Sequence, residues 1–171
     1  MSTDACQKAG LRIANLSPAT IEKLNQVLPD RWPHANPVDT VAAGFVTYPS
    51  LWPLMEDENV DAILSVGAIG MVSSWAGWTR SGAPDADVQK VREWLGILVQ
   101  DELKNIDRAI DFMDKSQKPL IICSIFNEAL RKSEALRKLH ENGILIYPTP
   151  ERAAKVLAHL VNYSQYLGTR N

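Results

Sequence analysis

The sequence has little cysteine: Cys6 and Cys123 are the two copies in 171 residues. Two cysteines build no disulfide framework, and their separation matches no zinc spacing. Charge of one sign is also lacking. There are 18 Lys and Arg against 20 Asp and Glu, for a net charge of −2. No basic excess is available to hold a phosphate backbone, which argues against a nucleic-acid partner. No apolar run approaches the roughly 20 residues that a membrane span needs. Met1–Gly10 is polar and lacks the apolar centre of a signal peptide. These absences predict a cytoplasmic chain with neither a membrane nor a nucleic-acid partner. Phenylalanine is scarce as well, at 3 copies against 5 Trp. Trp75, Trp78 and Trp94 fall within one stretch of twenty residues.

What is present is ordinary globular usage, 46% hydrophobic and 22% charged, which excludes wholesale disorder. Three short apolar runs stand out: Asp61–Val66, Pro119–Ser124 and Ile144–Tyr147. None alternates strictly, so each suits a strand covered on both faces. Leu11–Ala14 alternates more and is expected as a strand nearer an edge. Helical patterns separate the runs. Ser17-Pro18 opens a helix over Ile21–Leu28, with an N-cap serine and proline at the first helical position. Residues 85–115 predict a long helix or two joined ones, with Gly96 and Gln100–Glu102 leaving room for a break. Asn127–Glu141 is a charged helix stopped by Asn142-Gly143. Thr149-Pro150-Glu151 opens a last helix with Ala153, Val156, Leu157, Leu160 and Tyr163 on its apolar face. Alternating strands and helices imply right-handed crossovers and a parallel, doubly wound α/β sheet in one domain spanning 1–171. Asp4–Gly10 reads as the end of a helix. The expectation is a flavodoxin-like, three-layer fold with its first strand and Gly-rich loop missing.

Candidate chemistry is sparse. There is no Gly-x-Ser-x-Gly elbow, no Gly-x-Gly-x-x-Gly fingerprint and no Walker loop. Cys123, in or at the end of an apolar run, reads as a small buried hydrophobe rather than a reactive thiol, and Cys6 has no activating base nearby in sequence. His140 and His159 read as helix-surface residues. His34, in a loop, is the better functional histidine, yet nothing pairs it at metal spacing, so no metal site is expected. In Asn36-Pro-Val-Asp39, Pro37 pushes Asn36 into extended backbone. Asn36 and Asp39 are then placed either to cap a turn or to meet a ligand. Gly67-Ala-Ile-Gly70 directly follows the best strand. That is the edge where parallel sheets bind ligands, and glycines there let backbone approach an anion. The Trp-bearing stretch Met71–Trp94 is either a loop packed on the domain's own surface or a contact patch for a partner or second copy.

Several phrases then add up. They are Thr3-Asp-Ala-Cys with Gly10-Leu11, Leu16-Ser-Pro with Leu24 and Leu28-Pro29, Asn36-Pro-Val-Asp39, Val60-Asp-Ala-Ile-Leu64, Lys118-Pro-Leu-Ile, and Gly143-Ile-Leu-Ile-Tyr-Pro-Thr-Pro-Glu-Arg-Ala153. In this order and spacing the chain resembles the second flavodoxin-like, ligase-CoA domain of the NDP-forming acyl-CoA synthetases, a family related to succinyl-CoA synthetase. The resemblance covers about residues 3–167, except an atypical Trp-bearing insertion at about 72–100.

The resemblance implies a ligase reaction. An acid, CoA and ATP become acyl-CoA, ADP and phosphate through a phosphorylated histidine. In the family that histidine, the CoA-binding fold and the ATP-grasp fold lie on other domains. No catalytic residue is therefore carried over, and no tightly bound cofactor is expected. CoA, ADP or ATP, and phosphate are substrates of a complete enzyme. Asn36 and Asp39, and with them Gly67 and Gly70, are the positions expected near the phosphate or acyl group. The expected partners are the other domains or subunits of such a synthetase, or a second copy. The alternative is a non-catalytic module derived from that domain, kept for ligand binding or assembly. For an FMN-binding or response-regulator-type flavodoxin fold, this sequence lacks the needed phosphate loop or acidic cluster at strand ends.

Overall fold

A computed structural model describes residues 1–41, 47–70, 72, 85–124 and 133–168. Along the chain run α1 (Ser2–Lys8), α2 (Pro18–Asn25), α3 (Thr47–Glu56), β1 (Ile63–Val66), α4 (Asp85–Ser116), β2 (Leu120–Cys123), α5 (Glu134–Glu141), β3 (Ile146–Tyr147) and α6 (Pro150–Gly168). The strands form an open sheet in the order β1-β2-β3, parallel throughout. Ile63 stands opposite Leu120 and Val66 opposite Cys123, and Ile122 opposite Ile146.

The central strand explains the layering. All four residues of Leu120-Ile-Ile-Cys123 are buried, and successive side chains point to opposite faces. Leu120 and Ile122 enter the larger core with Tyr48, Leu51, Trp52 and Met55 of α3, Leu103, Ile106 and Ala109 of α4, and Leu136 and Leu139 of α5. Ile121 and Cys123 meet Ala153 and Leu157 of α6 on the other face. There Ala5 and Cys6 of α1 pack against Ala154, and small residues on both sides allow close approach. The result is a three-layer, flavodoxin-like α/β fold.

Local signals account for most element ends. Ser17 caps α2 by accepting from the Thr20 amide at 3.2 Å, with Pro18 in the first turn. Gly10 (φ 82°) and Gly143 (φ 75°) take the left-handed conformation that ends α1 and α5. The amides of Leu11 and Ile144 return to Cys6 and Leu139 at 2.9 and 3.0 Å.

Two expectations need correction, for Leu11–Ala14 and for α6, while α4 takes the long-helix alternative and α3 is an additional element. Leu11–Ala14 forms no strand. Its alternation is real, since Leu11 and Ile13 pack near Leu64 while Ala14 and Leu16 pack on the larger core. The Ala14 carbonyl, however, accepts from the Asn36 side chain at 3.0 Å instead of joining a ladder. α4 is one uninterrupted helix through Gly96 and Gln100–Glu102, because Leu95, Glu102, Leu103, Ile106 and Ala109 keep one buried face. α6 buries only its first half: Leu160 and Tyr163 are exposed. α3 forms although Pro49 and Pro53 oppose a helix in the sequence. Pro53 sits inside it, where proline costs about 3 kcal/mol. Burial of Tyr48, Leu51, Trp52 and Met55 offsets that. Arg108 of α4 stacks 4.1 Å from the Trp52 ring and ties the two helices.

The Trp-bearing stretch divides. Trp75 and Trp78 lie outside the described residues, as do Leu130, Arg131 and Lys132 of the expected Asn127–Glu141 helix. Trp94 stands on α4 and is exposed. No helix among the described residues is long and apolar enough to cross a membrane.

Candidate functional site

The sheet's C-terminal edge is built from the ends of its three strands. The Gly67 amide donates to the Cys123 carbonyl at 2.8 Å, and the Ser124 amide to the Tyr147 carbonyl at 3.0 Å. The ladder thus extends one residue past β1 and past β2 before the chain turns. β3 leads into α6, whose first turn is capped by Thr149, accepting from the Arg152 amide at 3.3 Å.

The turn Gly67–Gly70 rises from β1. Gly67 (φ 70°) and Gly70 (φ 83°) are both left-handed, which side-chain-bearing residues adopt only with strain. Ile69 between them is buried and pins the turn to the larger core. The two glycines differ in their surroundings. A Cβ on Gly70 would lie 2.7 Å from Leu136 Cδ2, whereas one on Gly67 would meet nothing within 4 Å. Gly70 is therefore fixed by space and conformation, Gly67 by conformation alone.

Beneath this turn lies a residue that sequence reasoning missed. Glu102 of α4 is only 2% exposed, and its Oε1 accepts from the Gly70 amide at 3.1 Å. Tyr48 of α3 is buried beside it. Burial, first, and then the negative charge of Glu102 push the Tyr48 phenol well above its ordinary value, so it stays a neutral hydroxyl at physiological pH. The available signal was helical spacing: Glu102 falls seven residues from both Leu95 and Ala109 on the buried face. A carboxylate at an apolar position marks a buried polar group that needs a partner, not a break.

The Asn36–Asp39 turn is built differently. Asn36 is half-buried and donates its side-chain amide to the Ala14 carbonyl. Asp39 is exposed and accepts from the Val41 amide at 2.9 Å, a short Asx-type closure. Asn36, Asp39, Gly67 and Gly70 thus all have partners inside the chain. In this arrangement the glycines supply conformation and absence of bulk, and their amides are already bonded.

The other candidates resolve into structure. His34 (φ 53°) faces Asn25 Oδ1 at 2.8 Å and the Asp30 carbonyl at 3.1 Å. Its ring centroid lies 4.8 Å from that of buried Trp32. Trp32 donates to the same Asn25 oxygen at 2.9 Å. His140 and His159 are exposed on α5 and α6. Cys123 is buried, and burial followed by the charge of Glu151 pushes its thiol upward; burial raises Cys6 too. Neither is an activated nucleophile. Among the described residues no group of three His, Cys, Asp or Glu side chains could hold a metal ion.

No family model matches the chain. It is 28% identical over 170 residues to the alpha subunit of ADP-forming acetate–CoA ligase II of Pyrococcus furiosus, covering 98% of this chain and 32% of that protein. It is 29% identical over 167 residues to ADP-forming acetate–CoA ligase I of Archaeoglobus fulgidus, covering 96% and 19%. The chain thus spans a third or less of the curated relatives it matches. Among solved structures, a Pyrococcus horikoshii protein superposes with a TM-score of 0.67 at 24% identity, over 98% of this chain and 33% of that one. The dinucleotide-forming acetyl-coenzyme A synthetase 1 of Candidatus Korarchaeum cryptofilum, in complex with phosphate and ADP, does so at 0.62 and 20% identity, over 96% and 30%. These structural likenesses establish the fold.

Proposed function

We propose, for a chain that belongs at the level of this one domain to the NDP-forming acyl-CoA synthetases, that it is the ligase-CoA part of such an enzyme. The complete enzyme would convert an acid, CoA and ATP into acyl-CoA, ADP and phosphate in the cytoplasm. This chain would act as one domain, residues 1–171, beside partner domains or subunits that bring the phosphorylated histidine, the CoA-binding fold and the nucleotide site. It would hold no tight cofactor of its own.

The observation that carries this reading is the Gly67–Gly70 turn at the C-terminal edge of the sheet. The Gly67 and Gly70 amides are bonded within the chain, so the two glycines contribute no free amides to an anion cradle. Gly67 instead presents backbone with open space where a side chain would stand. Such a surface admits a neighbouring loop or a phosphoryl group at close range. Glu102 and Tyr48 hold its shape from below. Asn36 and Asp39 set the second turn, and Asn36, through Ala14, holds the segment leading to α2.

The recombinant chain alone should show no acid- and CoA-dependent ATP consumption. The same chain, tagged and isolated from its own cells with its partners, should bring that activity with it. Turnover by the chain alone, or a complete absence of ligase activity in the isolated assembly, would overturn the reading. A second reading is a non-catalytic module, favoured by the internal bonding of all four candidate residues. It predicts the second of these outcomes.

A further inference from the structure

The outer face of α4 is not absorbed by the fold. Trp94 is 57% and Ile97 70% exposed, although both are large apolar side chains in the middle of a long helix. They belong to a stripe with alternating spacings of three and four: Asp87, Lys90, Trp94, Ile97, Asp101 and Lys104, all of them exposed. This is the a/d spacing of a two-helix seam. It lies away from the face that carries Leu95, Glu102, Leu103, Ile106 and Ala109 into the core. From Asp87 to Lys104 it runs about 26 Å along the helix.

The stripe is complementary to itself. When two copies of α4 pack antiparallel about a two-fold axis, a positions face d positions. Centring that axis between Leu95 and Gly96 sets Trp94 against the partner copy's Ile97 position. The same register sets Lys90 against the position of Asp101, and Asp87 against that of Lys104. The two-fold repeats each pair, giving four opposite-charge contacts around an apolar centre. Val91, also exposed, falls on the flank near the position of Leu98. Parallel packing sets Asp87 against itself, Lys90 against itself and Asp101 against itself, which is repulsive.

We propose that this face is a homodimer interface, with a second copy of the chain packed antiparallel along α4. The interface is isologous, as two-fold dimers require. One helix pair lies at the small end of specific interfaces, so the dimer should be reversible and concentration-dependent. This inference does not depend on the ligase reading, because the stripe, its exposure and its charge order are properties of the chain alone.

Sedimentation velocity on the full chain across a concentration series tests it. The wild type should move from monomer to dimer as concentration rises. Trp94→Glu and Ile97→Glu should each stay monomeric while melting like the dilute, monomeric wild type, since both sites are exposed. Lys90→Glu should weaken the dimer, and Lys90→Glu combined with Asp101→Lys should restore it, because the swap rebuilds the pair only in the antiparallel register. A wild type that stays monomeric throughout would overturn the proposal. So would undiminished dimerisation by both glutamate variants, or failure of the charge swap to restore what Lys90→Glu loses.

Discussion

Two turns in this molecule carry the residues that the sequence marks for ligand contact, and they are anchored at different depths. Gly67–Gly70 sits at the end of β1, with Ile69 in the main core and a buried carboxylate under Gly70. Asn36–Asp39 lies nearer the surface, held by the Asn36 bond to Ala14 and the Asp39 bond to Val41. Polar and glycine-rich turns look alike in sequence. What separates them is whether another element reaches in to complete them. Glu102, 32 positions further along the chain, does this for the glycine turn, while the surface turn closes mostly on itself.

The sharpest way to break that contrast is Gly70→Ala. Left-handed strain of about 1–2 kcal/mol adds to overpacking of about 1–3 kcal/mol, because Leu136 is itself buried and cannot withdraw. A loss of about 2–5 kcal/mol in urea-unfolding free energy is expected. Gly67→Ala, with open space at its Cβ, should lose only the strain, about 1–2 kcal/mol. Equal losses would mean that Leu136 does not constrain Gly70.

Glu102→Ala comes next. It leaves the Gly70 amide without its acceptor, for an expected loss of about 1–3 kcal/mol. Hydrogen exchange at Gly70 should speed up while exchange at Val41 stays unchanged.

On the surface turn, Asn36→Ala should lose about 1 kcal/mol, one hydrogen bond, and Asp39→Ala no more than about 0.5 kcal/mol. Thermal melts read both. A larger loss for Asp39 than for Glu102 would reverse the comparison.

The smallest effect at neutral pH concerns the framework beside that turn. Burial pulls the Asp57 carboxyl upward. Hydrogen bonds from Thr20, the Ser17 and Asn59 amides and the Ser17 hydroxyl outweigh it and hold the group below its ordinary 3.8. A carboxyl lowered in the folded state stabilises fully above its unfolded value, and that stability is lost as pH falls through the lower folded value. Stability of the wild type should therefore drop below about pH 4. Asp57→Asn should show a shallower acid dependence, and an unchanged acid profile would remove Asp57 from the account.

Much of the fold was legible. Leu120–Cys123 is buried on both faces, and its run of apolar residues at every position suits a covered strand. Ser17-Pro18, Gly10 and Gly143 end their helices by local chemistry that needs no tertiary context. α3 was illegible because its prolines oppose a helix that only burial of Tyr48, Leu51, Trp52 and Met55 stabilises. The candidate site was half legible. Gly67 and Gly70 stand where a turn after a strand should place them. Their support, Glu102 and Tyr48, comes from two helices far off in sequence, and no local pattern joins them. Trp94, in the atypical insertion, was equally open to packing or contact, and its exposure on a continuous helix favours contact.

In the proposed function the glycine turn presents a bare backbone to a phosphoryl site completed by partners. Gly67→Asn tests it most directly, because asparagine tolerates the left-handed conformation while placing a side chain in the open space. The measurement is acid- and CoA-dependent ATP consumption by the assembly isolated from its own cells, with Asp39→Ala as the control. The prediction is a fall of at least about tenfold for Gly67→Asn, equivalent to about 1.4 kcal/mol of transition-state stabilisation, in an assembly that remains intact, with Asp39→Ala near wild type. Full activity of Gly67→Asn in an intact assembly would contradict it.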